Sequence, residues 1–399
     1  MEHFSKEFFP TLHNNPKLAY FDNAATTQTH ISVVDRMNEY YCNERCNVNR
    51  GDFYISQKVS GDVEIAREQV AELINADTNQ VVFTSGATDG LNMIAEWCKH
   101  LKTVIVSEAE HSANILPWIT QGRTVDNGGL VVIPLTDYGT IDIEQFEKIC
   151  ERNTGALLSI TYTSNVTGIT FDIEKIAKIA HQHGIWVCVD ACQTIATKKI
   201  DVKRLRCDWL VFSGHKMYGP TGVGVLYAKK LSEHRPIRHG GGNIRHYDFN
   251  GNIHFYDAPT KYEVGTPNIA GILGLGIAAE WINFVGYNSL MRRKRDLGVA
   301  LSDAGLFNVK GLSVVYPSYG AHERNVFSFN CNNFHPSDLS AYLGIDDIAV
   351  RGGKLCAHPI VNKLSGGKGV LRISTACYNN DDDIIKLVDG LCKAISKIT

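Results

Sequence analysis

The first feature of the chain is an alternation of short apolar runs with stretches of helical periodicity, between about residues 80 and 230. The runs read VVFTS, TVIVSE, LVVIPL, ALLSITY, IWVCVD, WLVFS and GVGVLYA. Several of them are apolar throughout, which is typical of strands covered on both faces. Strands and helices in alternation predict a mostly parallel α/β sheet, whose ligands bind beyond the carboxyl ends of the strands.

The segment DIEKIAKIAHQHG shows the helical pattern that separates these runs. Its apolar positions on one face are Ile173, Ile176, Ala177 and Ala180. Asp172 stands where an N-cap is expected and Gly184 where a helix would end. The spacing therefore predicts a helix with one buried face.

From about Trp281 the pattern changes. The stretch MRRKRDLGVALSDAG predicts a charged amphipathic helix, NVFSFNC a strand of a mixed sheet, and DDDIIKLVDGLCKAI a final helix. We therefore expect a large domain over residues 19–285. Residues 1–18 and 286–399 should form a smaller α+β domain.

Composition narrows the functional classes. The 399 residues are 44% hydrophobic and 21% charged, with a net charge of −2. This balance gives no electrostatic reason to expect nucleic acid or an anionic membrane as partner, so a small-molecule ligand is favoured. The sequence shows neither a signal-peptide pattern nor an apolar stretch of membrane-spanning length, which predicts a cytoplasmic protein.

The eleven cysteines are expected to be mostly free thiols in a reducing compartment. Cys42 and Cys46 are four residues apart, as are Cys188 and Cys192. No nearby Cys/His pair completes a zinc ligand set, so we predict no metal site.

Three motifs follow strands. The first is the turn at residues 85–88, Ser-Gly-Ala-Thr, between the run VVFTS and a predicted helix. Small residues there would let backbone N–H groups point at a phosphate, and the Thr88 side chain adds a hydroxyl. The turn matches neither GxxxxGK[ST] nor GxGxxG. Taken alone, it is also compatible with an ordinary strand-to-helix connection.

The second motif is Asp190, at the end of IWVCVD. A carboxylate at the end of a buried strand is unfavourable unless a cation or hydrogen bonds compensate it. Asp190 could cap the next helix, or it could face a cationic ligand atom such as a protonated pyridine nitrogen.

The third motif is Lys216, which follows WLVFS and stands near Ser213 and His215. A lysine partly removed from water is a better nucleophile, because its charged form is disfavoured. The alternative is a surface lysine. A phosphate-binding turn, a strand-end aspartate and a downstream lysine together match the needs of pyridoxal phosphate. The lysine forms the Schiff base and the aspartate keeps the ring nitrogen protonated.

Several motifs resemble those of a known family in order and spacing. They are YFDNAATTQ, EHSANILPW, SNVTG, VDACQ, FSGHKMYGPTGVGVLY, EVGTPN and RGGKLCAHP. They resemble the Suf-type (group II) cysteine desulfurases of the class V aminotransferase family over nearly the whole chain. The resemblance implies the type I fold of pyridoxal phosphate enzymes, a homodimer, and an active site at the subunit boundary.

The resemblance also implies how the cofactor ring is held. His111 would stack on the ring, Asp190 would pair with its nitrogen, and Gln193 would lie near its phenolic oxygen. Asn165 would lie near both cofactor and substrate. Alternatively, His111 could be a structural histidine, and the two amides could satisfy loop backbone.

For the phosphate and the substrate, the resemblance implies a second group of residues. Thr88, Ser213 and His215 would hold the phosphate, and Thr266 of EVGTPN would arrive from the partner subunit. Arg372 in VLRIS would grip the substrate carboxylate, a bidentate task that suits a guanidinium group. An ion pair is the alternative for Arg372.

Cys356 in RGGKLCAHP aligns with the family's catalytic cysteine. Only a thiolate attacks well, and the nearby Arg351, Lys354 and His358 could supply positive charge. Arg351 is also expected near the substrate. The alternative is that Cys356 is simply one more free thiol in a loop.

The sequence departs from the family's pattern at two places. Lys354 and Leu355 stand where histidines usually precede the cysteine. Asn49 replaces a histidine in NVNRG, beside Arg50. The groups that donate and accept protons near the thiol should therefore differ from those usual in the family.

The resemblance implies that the protein converts L-cysteine to L-alanine and takes the sulfur onto Cys356 as a persulfide. Lys216 would be the base at Cα. A protein acceptor would then receive the sulfur, for example for iron–sulfur cluster assembly. The alternatives are a pyridoxal phosphate C–S lyase, a selenocysteine lyase or an amino-acid epimerase that does not use Cys356. A catalytically inactive scaffold and a nicotinamide-dependent dehydrogenase fit the motifs less well.

Overall fold

The computed structural model describes residues 2–49 and 51–398. The strands are β1 (Ala19–Tyr20), β2 (Val81–Thr84), β3 (Val104–Ser107), β4 (Leu130–Ile133), β5 (Leu157–Thr161), β6 (Trp186–Asp190), β7 (Trp209–Ser213), β8 (Gly224–Ala228), β9 (Ile244–Tyr247), β10 (Ile253–Phe255), β11 (Leu312–Val314), β12 (Val326–Cys331), β13 (Ile348–Ala349), β14 (Arg351–Gly353) and β15 (Val370–Ser374). The α-helices are α1 (Pro10–Asn14), α2 (Ile31–Glu39), α3 (Tyr54–Ile74), α4 (Ala87–Trp97), α5 (Leu116–Thr120), α6 (Ile143–Arg152), α7 (Ile173–Gln182), α8 (Val202–Leu205), α9 (Ile269–Val285), α10 (Tyr287–Asp303), α11 (Pro336–Ile345), α12 (His358–Ser365) and α13 (Asp381–Ile398).

The apolar runs form one seven-stranded sheet in the order β2-β8-β7-β6-β5-β3-β4. Neighbouring strands from β7 to β4 are parallel, whereas β8 runs antiparallel to both β2 and β7. Every residue of β5, β7 and β8 is buried, as the uninterrupted apolar runs predict. The predicted mostly parallel α/β sheet is confirmed.

The predicted helix with one buried face is α7. Its N-cap Asp172 accepts a hydrogen bond from the backbone N–H of Lys175 through Oδ1, at 3.2 Å. Gly184 follows the helix with φ 67°, a left-handed conformation that favours glycine. Both ends of the helix therefore follow from local sequence.

The C-terminal part contains a four-stranded antiparallel sheet in the order β11-β12-β15-β14. Helices α11 and α13 contribute side chains such as Leu339 and Leu387 to its hydrophobic cluster. At the N-terminus, packing crosses the predicted boundary at residue 19. Phe9 belongs to the large core, whereas Phe21 belongs to the C-terminal cluster, and β1 pairs with β13. The domain bounds stay a prediction.

Within the described residues, no single helix is both long and apolar enough to cross a bilayer. Helices α9 and α10 meet that criterion only as a pair, and a 79° bend separates them. No cluster of His, Cys, Asp and Glu suited to holding a metal ion occurs in residues 2–49 or 51–398.

Candidate active site

Lys216 lies at the carboxyl edge of the large sheet. Strand β7 ends at Ser213, and a single 3₁₀ turn, Gly214–Lys216, carries the lysine beyond that edge. The neighbouring parallel strand β6 ends at Asp190, level with Val211 of β7. Parallel strands therefore bring the predicted lysine and aspartate to the same edge, and both residues are at least half-buried there.

Asp190 is only 5% exposed. Its Oδ1 accepts a hydrogen bond from the backbone N–H of Cys192 at 3.0 Å. Within the described part of the chain, no lysine, arginine or histidine forms an ion pair with it. A buried carboxylate without a protein cation is the arrangement that a cationic ligand atom would complete.

The turn before α4 has the form of an anion site. The Ser213 hydroxyl oxygen accepts a hydrogen bond from the backbone N–H of Ala87 at 2.9 Å, which joins the end of β7 to the start of α4. The other N–H groups of the first helical turn lack partners within the helix, and Thr88 is exposed beside them. We call residues 85–88 with Ser213 the phosphate cradle.

Gly224, the first residue of β8, lets that strand pass directly behind the cradle. A Cβ atom at this position would lie 2.6 Å from Cα of Gly86 and 2.7 Å from the carbonyl oxygen of Phe212. Real Cβ atoms do not approach other atoms so closely, so only glycine fits without a shift of the backbone.

His111 follows β3 and is held by its ring. Its Nδ1 accepts a hydrogen bond from the backbone N–H of Ala113 at 3.1 Å. Burial lowers the pKa of His111 to about 4, and the positive charges of Lys216 and Arg372 lower it further, against an opposing effect of Asp190. These residues are thus close enough to act on one another, and His111 is a neutral ring at neutral pH.

Three other predicted residues lie around this edge. Burial, with a smaller contribution from Lys216, lowers the pKa of His215 to about 4. The Gln193 side chain donates from Nε2 to the carbonyl oxygen of Ala24 at 2.7 Å. Asn165 is buried, and its side chain contacts the loop that carries Cys356.

Arg372 is 2% exposed and lies on β15 of the small sheet. Its Nη1 donates to the carbonyl oxygen of Asn165 at 3.1 Å, and its Nη2 donates to Oδ1 of Asp22 at 2.9 Å. Its Nε is buried without a hydrogen-bond partner. Burial lowers the pKa of Arg372, although the neighbouring Asp22 opposes this. A buried guanidinium group with a free donor can accept a carboxylate ligand.

Asp22 is a residue of this site that sequence reasoning did not single out. It also accepts hydrogen bonds from Nε and Nη2 of Arg351, the shortest at 2.6 Å, and these raise the pKa of Arg351. One carboxylate thus joins the two predicted arginines. The only signal in the sequence was the motif YFDNAATTQ, whose resemblance carried no role for Asp22 itself.

The thiol of Cys356 is exposed, on a turn at residues 354–357 that we call the cysteine turn. The Ala357 backbone N–H donates to the carbonyl oxygen of Lys354 at 3.0 Å and closes the turn. Leu355 and Cys356, its central residues, have φ of 56° and 52°. Left-handed conformations of non-glycine residues cost about 1–3 kcal/mol each. Other contacts must therefore stabilise this turn.

Those contacts come from residues that follow β3 and β5 of the large sheet. Asn165 donates from Nδ2 to the carbonyl oxygen of Leu355 at 2.9 Å. Ser112 donates to the carbonyl oxygen of Cys356 from its backbone N–H at 2.6 Å and from its hydroxyl at 2.7 Å. Sequence reasoning missed Ser112, although it directly follows His111.

Lys354 and Leu355 stand where the family usually has histidines, and their side chains make contacts away from the thiol. Leu355 is 7% exposed and belongs to the large hydrophobic core. Lys354 donates from Nζ to Oδ1 of Asn362 at 2.5 Å and to the carbonyl oxygen of Gly367, both in or just after α12. The side chain of neither residue forms a hydrogen bond with Cys356 in the described structure.

Two positions singled out in the sequence, Thr266 and Asn49, line a different cavity. Thr266 is exposed and lines a separate cavity of about 140 Å³ with Asn49 and Gly241, and no other predicted binding residue lines that cavity among the described residues. Asn49 has φ 69°, and its backbone N–H donates to the Ser60 hydroxyl. Arg50 lies outside the described residues.

The aminotransferase class-V family model matches residues 19–387. The chain belongs to the class-V aminotransferase family. Enzymes of this family use pyridoxal phosphate.

Several relatives similar to this chain are described as cysteine desulfurases. A protein of Halalkalibacterium halodurans described as a probable cysteine desulfurase is 36% identical over 408 residues, covering 98% of this chain and 97% of the relative. A cysteine desulfurase of Escherichia coli strain SE11 is 36% identical, covering 96% of this chain and 95% of the relative.

Solved class-V structures have the same fold as this chain. The apo cysteine desulfurase of Thermococcus onnurineus has a TM-score of 0.89 at 31% identity, over 98% of this chain and 97% of that one. The cysteine desulfurase CsdA of Escherichia coli, in an S-sulfonic acid form, has a TM-score of 0.88 at 33% identity, over 98% of both chains. The predicted type I fold is confirmed.

The residues at the sheet edge fit pyridoxal phosphate. The cradle offers free N–H groups and a serine hydroxyl for a phosphate. Asp190 is a buried carboxylate that lacks a protein cation among the described residues, which suits a protonated pyridine nitrogen. Lys216 stands beyond the end of β7, at the same edge as Asp190.

Proposed function

We propose that this protein is a cysteine desulfurase of the Suf-type group, which converts L-cysteine to L-alanine and takes the sulfur onto Cys356 as a persulfide. One observation carries the proposal. The turn with the exposed Cys356 thiol is hydrogen-bonded through Ser112 and Asn165 to the segments that hold His111 and Arg372. A thiol fixed beside an amino-acid site is suited to receive an atom from the bound amino acid. The names of the relatives agree with this activity.

Arg372 is the proposed carboxylate ligand of the substrate. Its guanidinium group is buried, and its Nε has no partner in the described structure. A planar guanidinium group can form two parallel hydrogen bonds with a carboxylate. Asp22 holds Arg372 through Nη2, so the guanidinium group is positioned before substrate arrives.

Pyridoxal phosphate, when bound, withdraws electrons from Cα of the amino acid and makes its proton removable. Thr88, Ser213 and His215 would hold the phosphate, and His111, Asp190 and Gln193 would hold the ring. Asp190 would keep the proton on the ring nitrogen. Lys216 would take the Cα proton of the substrate on Nζ, because an amine at the end of a rigid strand can be held at a reacting carbon.

Cys356 would then attack the sulfur of the substrate as a thiolate. A sulfur–sulfur bond forms as the Cβ–sulfur bond of the substrate breaks, and the electron pair of that bond stays with the carbon skeleton. Cβ takes up the proton that the Cys356 thiol has lost, and Cα regains its own proton, which gives alanine. Arg351 is close enough to interact electrostatically with Cys356. Lys354 and Leu355 are engaged elsewhere, so this thiol would act without a histidine on its own turn.

The deciding experiment measures alanine and sulfide after incubation with L-cysteine and a reductant. We expect equal amounts of both from the wild type and loss of both from Cys356→Ala. The matched control is Cys392→Ala, which removes another exposed thiol on α13 and should retain full turnover.

Other products would point to the alternatives. Pyruvate and sulfide at wild-type rates from Cys356→Ala would indicate a C–S lyase. Inversion at Cα would indicate an epimerase, and a strong preference for selenocysteine would indicate a selenocysteine lyase.

The proposal includes a cytoplasmic homodimer that passes sulfur to a protein acceptor. The exposed Thr266 supports a dimer, because an exposed side chain in the motif EVGTPN is free to reach the phosphate of a partner subunit, as the resemblance implies. The absence of disulfides among the cysteines of the described residues supports a reducing compartment. Light scattering measures the mass in solution, and a monomeric active enzyme would contradict the dimer.

A further inference from the structure

The carbonyl oxygen of Cys356 accepts two short hydrogen bonds from a single residue. Ser112 donates its backbone N–H at 2.6 Å and its hydroxyl at 2.7 Å. Ser112 opens the 3₁₀ turn Ser112–Asn114, directly after His111. The chemistry proposed above gives the Ser112 side chain no task.

The cysteine turn needs support from outside. A turn whose central residues both have positive φ favours asparagine and glycine, yet Leu355 and Cys356 occupy those positions here. Leu355 is held by its buried side chain and by Asn165. Cys356 is exposed, so apart from the hydrogen bond that closes the turn, its backbone is held by the contact between its carbonyl oxygen and Ser112.

We propose that Ser112 is a positioning residue for sulfur transfer. By fixing the carbonyl group of Cys356, its two donors fix the Cα–Cβ direction and leave the thiol only the rotation about χ1. The attacking sulfur is thereby held toward the site that contains His111. This inference rests on the proposed function, because it concerns the same thiol.

The position of Ser112 allows a graded set of variants. Ser112→Ala removes the hydroxyl donor and keeps the N–H donor, and Ser112→Thr keeps both. Ser112→Pro removes both. Proline fits the first position of a helical turn, and the preceding His111 has φ −68° and ψ 148°, a conformation that residues before proline adopt.

The matched control lies on α13, far along the chain from the site. The Ser396 hydroxyl also donates to a backbone carbonyl oxygen, that of Lys393, at 2.8 Å. Ser396→Ala therefore removes a similar hydrogen bond without touching the cysteine turn.

Three measurements are compared for each variant in the cofactor-loaded enzyme. The first is the single-turnover rate of persulfide formation on Cys356 with L-cysteine, followed by mass spectrometry. The second is the affinity for L-cysteine, followed by the change in cofactor absorbance. The third is amide hydrogen exchange in the peptide that contains residues 354–357.

We expect persulfide formation to slow about 10-fold in Ser112→Ala and about 100-fold in Ser112→Pro, since small misplacements of a reacting group have effects of this size. Ser112→Thr should recover most of the rate, and Ser396→Ala should match the wild type. The affinity for L-cysteine should stay unchanged throughout. Exchange at residues 354–357 should increase in the order Thr, Ala, Pro.

Two results would overturn the proposal. One is a wild-type rate of persulfide formation in Ser112→Pro. The other is a parallel loss of cysteine affinity and rate, which would mean that Ser112 only supports the fold. If the wild type itself forms no persulfide, the proposed function fails. Hydrogen exchange then still tests whether Ser112 holds the cysteine turn. Equal exchange in the wild type and Ser112→Pro would then exclude its positioning role.

Discussion

The phosphate cradle and the cysteine turn belong to the same proposed site, but their backbones are supported in different ways. At the cradle, Gly224 has no side chain that would collide with Gly86, so the two backbones approach each other closely. At the cysteine turn, Leu355 and Cys356 keep their side chains in left-handed conformations, and hydrogen bonds from distant segments hold them. The close approach at the cradle thus depends on the absence of a side chain, whereas the turn depends on hydrogen bonds that compensate for the presence of two.

The largest expected effect is on catalysis, and it should leave the cysteine turn unchanged. Lys216→Ala removes the proposed base and should lower alanine formation by about 10²–10⁴-fold or more. The cysteine turn does not depend on Lys216, so alkylation of Cys356 by iodoacetamide should keep its rate. Substantial residual turnover would contradict the role of the lysine.

Gly224→Ala tests the close approach behind the cradle. The added Cβ would lie 2.6 Å from Cα of Gly86, so the unfolding free energy should fall by about 1–3 kcal/mol. Cofactor affinity should fall by about tenfold or more, which titration with pyridoxal phosphate measures. Gly61→Ala, in α3 with open space around it, is the control and should not weaken cofactor binding.

A smaller effect should measure the strain in the cysteine turn. The Cys356 side chain is exposed and its φ is 52°, so Cys356→Gly and Cys356→Ala differ mainly in backbone preference. We expect the glycine variant to be more stable by about 1 kcal/mol, because only glycine adopts this conformation readily. Urea unfolding of both inactive variants gives the difference. A more stable alanine variant would mean that the turn is not strained.

An effect of similar size concerns the pH dependence of stability. Burial and Lys216 lower the pKa of His215 from 6.5 to about 4, so between these values the unfolded chain binds its proton and the folded protein does not. The contribution of His215 to stability is therefore complete above about pH 6.5 and decreases as the pH falls toward 4. At about pH 5 the loss should be about 1 kcal/mol, after allowance for solvent screening.

His215→Gln should reduce this dependence when urea unfolding is compared at about pH 7 and pH 5. Ser112→Ala alters the cysteine turn without changing a titratable group, so its pH dependence should match the wild type. An unchanged pH dependence in His215→Gln would contradict the buried, neutral state of this histidine.

The sequence predicted the strands of the large sheet because their apolar runs are uninterrupted, and it placed Asp190 and Lys216 at one edge because both follow such runs. It did not predict that β8 runs antiparallel between β2 and β7. Strand order depends on tertiary pairing, and a fully apolar run is compatible with either direction.

Asp22 and Ser112 escaped prediction for a related reason. Asp22 bonds Arg351 across 329 positions of the chain, and Ser112 bonds Cys356 across 244. Single-sequence patterns report neighbours within one or two turns, so contacts of this length leave no periodic signal. The resemblance supplied the motifs around both residues but not their partners.

The same long separations in sequence affect the order in which the chain can fold during its synthesis. Asp22 is synthesised near the start of the chain. Arg372, the more distant in sequence of its two arginine partners, is synthesised 350 positions later. The cysteine turn is likewise synthesised in the last quarter of the chain, and only then can Cys356 accept the hydrogen bonds from Ser112. Because such contacts form late, we expect the nascent chain to complete its large sheet while Cys356 is still untranslated. The reactive thiol would thus be assembled only onto a scaffold that has already folded.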